Sequence, residues 1–251
     1  MLSTSKIQYI QSLTRKKFRQ KYNKFVIEGE KMAIEVLQNQ RIKIESVYAL
    51  DSWIETNQAL LKLHLDKVIS IKEKELQKIS SLTTANKVLL IAENIDNKLD
   101  NQLLTDDLSL YLNEIQDPGN MGTILRIADW FGISQVFYSK GCVEIYSPKV
   151  IQASMGAFLR VSFMEYELAD LKSFAPKLPV YGTVLGGDNI FQTPIGKPAM
   201  IVVGNEGKGI NADLDGLLTH KIMIPAHSPN GAESLNAAVA TGIVCALFRN
   251  L

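Results

Sequence analysis

The chain has 251 residues, 46% apolar and 21% charged, with a net charge of +1. Such a composition suits a globular protein of one large or two small domains. No apolar run approaches the ~18 residues of a membrane span, and the start, MLSTSKIQYIQSLTRKK, lacks the apolar core of an export signal. Two cysteines, Cys142 and Cys245, and three histidines, His64, His220 and His227, show no metal-ligand spacing. The expectation is a cytoplasmic protein with reduced thiols and no metal.

The first 24 residues carry seven basic residues and no acidic one. Arg15, Lys16, Lys17, Arg19 and Lys21 form their dense part. A basic first helix fits either a polyanion partner such as RNA or an ordinary solvated face. KFVIE, KIESVYAL, KVISI and KVLLIAE then read as strands. EKMAIEVLQ and SWIETNQALLKL carry apolar residues at helical spacing. Together they predict a small α/β domain over residues 1–98. The polar stretch NIDNKLDNQLLTDD follows, and a linker is expected at 99–107. Residues 1–98 hold 17 Lys and Arg against 11 Asp and Glu, and the remainder holds 10 against 15. The positive charge is concentrated in the first domain.

From residue 108 to 251 strands and helices alternate. LSLYLNEI, SQVFYSK, RVSFMEY, PVYGTVLG, AMIVVG and KIMIPA are the predicted strands, and a last helix starts near Glu233. Short apolar runs between helices predict a mostly parallel sheet covered on both faces. Ligands of such sheets gather beyond the carboxyl ends of the strands. Three segments fall there. In DPGNMGTILR, a Pro-Gly turn leads into a helix that Asn120 is suited to cap, with Arg126 six residues on. The alternative is a capped helix with an arginine reaching for water. In IVVGNEGKGI, Gly204, Gly207 and Gly209 surround Glu206 and Lys208. This reads as a ligand loop or a plain turn, and lacks the Walker and G-x-G-x-x-G spacings. In the third, the strand ends at Ile224-Pro225, a loop follows, and Ser234-Leu235-Asn236 opens an Ala-rich helix, which either polar residue could cap.

Taken together, DPGNMGTILR, GNEGKGI and IP…SLN resemble, in order and wording, the SpoU (TrmH-like) family of RNA ribose 2′-O-methyltransferases, part of the knotted SPOUT group. The resemblance covers residues 108–250. KFVIEGEKMAIEVL resembles more briefly the start of that family's substrate-binding domain, which is similar to ribosomal protein L30e. The resemblance implies a catalytic domain with a deep trefoil knot, a homodimer whose active site uses both subunits, and S-adenosylmethionine as cofactor. By position, Gly204, Gly209, Ile224 and Leu235 would line the cofactor pocket, with Thr183 contributing. Asn120, Arg126, Glu206, Ser234 and Asn236 match the catalytic and conserved polar positions. Two features depart from the family: the eight-residue loop AHSPNGAE, with His227 in it, and Ala237-Ala238 where Val-Ser is common.

The chemistry constrains the roles. A ribose hydroxyl attacks a methyl group on a sulfonium, so the protein aligns the nucleophile and assists loss of its proton. Only RNA carries that hydroxyl. The resemblance makes Arg126 a general base. A guanidinium holds its proton strongly, so gripping a phosphate and stabilising the forming oxyanion is the alternative. Asn120 would orient the ribose or Arg126, Glu206 would fix Arg126 or a loop, and Ser234 and Asn236 would hold substrate or cofactor. The substrate expected is ribosomal RNA, most naturally 23S. Transfer RNA, a non-catalytic RNA-binding or assembly factor, and an α/β enzyme of another nucleotide are the alternatives.

Overall fold

The computed structural model describes residues 2–227 and 233–249. The chain divides into two compact units, 1–96 with 144–159, and 97–143 with 160–251. This differs from the simple division expected from the sequence, because a segment from the second half belongs to the first unit. The expected linker differs too, since residues 101–106 are helical.

The first unit begins with α1 (Thr4–Ser12), α2 (Lys16–Tyr22), β1 (Lys24–Glu28) and α3 (Glu30–Gln38). There follow β2 (Ile44–Ala49), α4 (Asp51–Thr56), α5 (Gln58–Leu61), β3 (Val68–Ser70), α6 (Glu73–Ile79) and β4 (Val88–Glu93). The strands form a mixed sheet in the order β1-β4-β2-β3, antiparallel except for β2 with β3. Ile10, Leu13, Val26, Tyr48, Leu89 and Ile91 pack as a core. Segment 144–159 joins this unit through aromatic contacts: the Phe25 ring lies 4.6 Å from Tyr146 and 5.8 Å from Phe158.

In the second unit, α7 (Asn101–Asp106) leads into β5 (Leu108–Leu112), α8 (Pro118–Trp130) and β6 (Gln135–Tyr138). The chain passes through α9 (Pro148–Ser154), which belongs to the first unit, and returns as β7 (Ser162–Glu165). Then come α10 (Leu168–Phe174), β8 (Val180–Asn189), β9 (Ala199–Val203), β10 (His220–Met223) and α11 (Ala237–Arg249). The six strands pair in the order β10-β8-β9-β5-β6-β7, every neighbour parallel. Both central strands, LSLYL and AMIVV, are buried throughout, which explains their unbroken apolar wording. Tyr111, Phe137, Met164, Val180, Met200 and Val202 belong to a core on one side of the sheet. From β5 the chain moves on to β6, and from β9 it moves on to β10 beyond β8, in the opposite direction. The adjacent carboxyl ends of β5 and β9 are therefore a topological switch point, the place where open α/β sheets bind ligands. Among the described residues, no helix is long and apolar enough to cross a membrane.

Candidate functional site

The loops after β5 and β9 carry the first two sequence motifs, and the turn before α11 carries the third. Asp117, not Asn120, caps α8: its carboxylate accepts the Asn120 N–H at 2.7 Å. The physical reason is Pro118. Proline suits the first helical position, which makes the aspartate before it the cap. Asn120 then stands in the first turn with its amide free to act across the site. Its Nδ2 donates to Glu206 Oε1 at 2.8 Å, and its Oδ1 accepts from Asn236 Nδ2 at 2.8 Å. One line of hydrogen bonds thus joins the three motif segments. Asn236 also caps α11, its Oδ1 accepting the N–H groups of Ala238 at 3.0 Å and Val239 at 3.2 Å. That helix begins at Ala237, later than expected, because Asn236 stops it.

The loop after β9 is held by its own backbone. Asn205 and Gly209 exchange N–H···O bonds of 2.9 Å in both directions. Gly209 has a φ of +73°, and a Cβ on it would meet open space, so its glycine serves the backbone turn. Gly204 is glycine for a different reason: a Cβ there would run into the backbone of Gly209 and Ile210. Asn205 Oδ1 accepts from the N–H groups of Gly207 at 2.9 Å and Lys208 at 3.0 Å, while its Nδ2 donates to the Glu114 carbonyl at 2.8 Å.

Of the other residues named from the sequence, Thr183 lies half-buried on β8, where its hydroxyl donates to the Val202 carbonyl at 3.0 Å. Ile224 is half-buried just after β10, and Leu235 is 48% exposed. Ser234 is exposed, and so is Arg126. Arg126 has no hydrogen-bond or ion-pair partner among the described residues, so Glu206 fixes Asn120 rather than Arg126. Six residues of helix turn Arg126 roughly 240° from Asn120. Asn120, Thr123 and Ile127 instead line an open, mainly apolar groove with Asn236, Val239 and Gly242 of α11. His227 is exposed, and residues 228–232 of the unusual loop lie outside the described residues. Both thiols are protonated by burial: Cys142 is shifted up, and Cys245 is pushed up to about 12.

The basic residues sit on α2 rather than on the first helix. Arg15, Lys16, Lys17 and Lys21 are exposed, with no carboxylate partner among the described residues. Lys17 and Lys21 lie over the rings of Phe18 and Tyr22, at 4.9 and 5.4 Å. Arg19 departs from the expectation. It is buried, its Nε donates to both oxygens of Glu144 and its Nη1 to the Leu13 carbonyl, so its charge is spent inside the unit. Sequence reasoning missed Asn113, Glu114, Asn205 and Asn211. The one signal that could have found two of them is the pair of asparagines bracketing the glycine loop.

Two family models match the chain: the SpoU rRNA Methylase family over residues 107–246, and an MRM3-like substrate binding domain over residues 4–90. The chain is similar to the 23S rRNA (guanosine(2553)-2'-O)-methyltransferase RlmP of Bacillus subtilis, 30% identical over 95% of this chain and 94% of that protein. It is 34% identical to an uncharacterized tRNA/rRNA methyltransferase of Synechocystis, over 55% of this chain and 51% of that protein. The latter match therefore spans about half of the relative's length. Among solved structures, a TrmH-family protein from Porphyromonas gingivalis superposes with a TM-score of 0.85 at 34% identity, covering 100% of this chain and 99% of that one. An AdoMet-bound rRNA methyltransferase from Sinorhizobium meliloti gives 0.85 at 25% identity, covering 98% and 95%.

Proposed function

The chain belongs to the SpoU rRNA Methylase family, and from that premise we propose that it methylates a ribose 2′-hydroxyl of 23S ribosomal RNA with S-adenosylmethionine. The observation that carries the reading is the line Glu206–Asn120–Asn236, which brings three separate motifs together at the switch point of the parallel sheet. The residues fit the cofactor. Gly204 and Gly209 leave the loop's backbone bare at those two positions, and Leu235 leaves half its surface uncovered for an apolar partner. Thr183, Gly204, Gly209, Ile224 and Leu235 hold it, and it supplies an electrophilic methyl group when bound.

The chain's own residues do the rest. Asn120, fixed on both sides, presents its remaining amide hydrogen in a set direction, which orients the ribose. Ser234, exposed two residues before Asn236, contacts substrate or cofactor. Arg126 is an exposed cation without a competing carboxylate among the described residues, and we assign it to the phosphate next to the target and to the charge growing on the 2′-oxygen. Arg15, Lys16, Lys17 and Lys21 grip the RNA backbone. Arg19 is left out because its partner is Glu144. The groove of α8 and α11 carries Ile127, Val239 and Gly242, and a second copy of the chain is the occupant we assign to it, making a homodimer. We extend the proposal to the trefoil knot implied by the family.

The test is transfer of labelled methyl from S-adenosylmethionine to ribosomal and transfer RNA of a strain lacking the protein. Label in ribosomal RNA, at a linkage that becomes resistant to alkali and is lost about a hundredfold or more with Arg126→Ala, is expected. Label in transfer RNA alone overturns the substrate assignment. Near-normal turnover by Arg126→Ala overturns the role of that residue.

A further inference from the structure

Asn113 and Glu114 stand between β5 and the first motif. Glu114 has a φ of +55°, in the left-handed region that residues with side chains enter uncommonly. Glycine would suit that backbone better. Such conformations persist where their surroundings over-determine them, and they gather at functional sites. Three hydrogen bonds do so here. The Glu114 N–H donates to Ser139 Oγ at 3.0 Å, its carbonyl accepts from Asn205 Nδ2 at 2.8 Å, and its Oε1 accepts from Asn211 Nδ2 at 2.9 Å. The stem needs room as well: a Cβ on Gly141 would stand 2.7 Å from Glu114 Cγ. Beside it, buried Asn113 accepts the Asn211 N–H through Oδ1 at 2.8 Å.

Asn205 and Asn211 are the two ends of the glycine loop that follows β9. Each is bound by the dipeptide that follows β5, one through a backbone carbonyl and the other through two side chains. A glycine-rich loop has little stiffness of its own. We propose that Asn113 and Glu114 are positioning residues that clamp the loop at both ends, so that the end of β5 sets the loop's shape for S-adenosylmethionine and the place from which Glu206 reaches Asn120. The cofactor part rests on the function proposed above; the clamp itself does not.

Glu114→Gly separates this role from a merely structural one. The substitution relieves the backbone while removing the carboxylate, two opposed effects on the folded state, so the melting temperature is expected to change little. The loop loosens at the same time. In the full chain without ligand, amide exchange at Gly209 and Asn211, on the side of the loop the carboxylate holds, is expected to quicken about tenfold, and the Kd for S-adenosylmethionine, read by calorimetry, to rise about tenfold, the size of one lost charge-assisted hydrogen bond. Glu114→Gln, which keeps the acceptor for Asn211, is expected to stay within about twofold of the unmodified chain. Unchanged exchange in Glu114→Gly overturns the clamp, and so does a Gln variant as loose as the Gly one. Quickened exchange in a protein that never binds S-adenosylmethionine leaves the clamp standing and defeats the cofactor reading instead.

Discussion

The two units offer a ligand opposite kinds of chemistry. The first presents exposed cations, Arg15, Lys16, Lys17 and Lys21, without carboxylate partners among the described residues. The second is built on neutral amides, with Asn120, Asn205, Asn211 and Asn236, and buried Asn113 behind them, all engaged in bonds of 2.8 to 3.2 Å. Charge acts over several ångströms and tolerates loose geometry, but salt screens it. Amide hydrogen bonds act over one contact distance and fail when an atom moves. The first surface suits holding a long polyanion in many registers; the second suits placing one hydroxyl. Damage to them should therefore look different: steep and geometric in one unit, graded and salt-dependent in the other.

The steepest break is expected at Asn120→Asp. A carboxylate there loses the donor to Glu206 and sets two acceptors against each other across a 2.8 Å contact. We expect kcat/KM to fall about 10² to 10³-fold. Adding Glu206→Gln restores a donor between the same two positions, so the double variant is expected to recover at least about tenfold of the loss, a coupling that only contacting residues show. A strictly additive result would mean that the two side chains act separately, and the amide line would lose its meaning.

A gentler effect is expected in the first unit. Changing Lys16, Lys17 and Lys21 together to Gln removes up to three phosphate contacts. The slope of log affinity against log salt should flatten by about 2, with affinity at low salt reduced about tenfold or more. Turnover at saturating RNA should hardly change, because none of the three lies in the second unit. A slope equal to that of the unmodified chain would show that these cations face water only.

The same contrast governs what could be read in advance. Eight of the ten strands lie within the predicted apolar runs, since a strand buried on both faces is written as such a run, while β8 runs on to Asn189 and β10 starts one residue early at His220. Helix α3 was equally plain, as its apolar residues repeat at helical spacing. The helix expected over 52–63 breaks at Asn57, whose side chain donates back to the Trp53 carbonyl, a local choice that periodicity does not reveal. The excursion through 144–159 was invisible because its contacts, such as Phe25 with Phe158, join residues far apart in sequence. In the site, the residue types were legible and their pairings were not. Arg19 reads like its basic neighbours, yet helical geometry turns it inward to Glu144. Asn120 reads as a cap, yet Asp117 takes that role and leaves the amide to meet Glu206.

The smallest effect tests stability rather than binding, and it lies at the base of the second unit's last helix. Arg249 of α11 donates through Nη1 to Asp107 Oδ1 at 2.7 Å and through Nε to the Phe131 carbonyl at 2.7 Å. Burial alone would raise the Asp107 carboxyl, but the hydrogen bond and charge of Arg249 outweigh it and hold the carboxyl below its ordinary value. The folded value is therefore the lower of the two, and the unfolded chain binds a proton first as pH drops. The stabilisation is complete above the unfolded value of about 4 and disappears as pH falls through the folded one. Asp107→Asn keeps the shape and removes the charge. It is expected to cost about 1 kcal/mol at pH 7, the scale of a partly exposed ion pair. Denaturant melts of the two proteins should then begin to approach each other below pH 4 and converge once pH has fallen below the folded value, where both carry an uncharged residue at 107. Curves that stay parallel from pH 7 to pH 3 would show that the pair fixes the end of α11 by shape and not by charge.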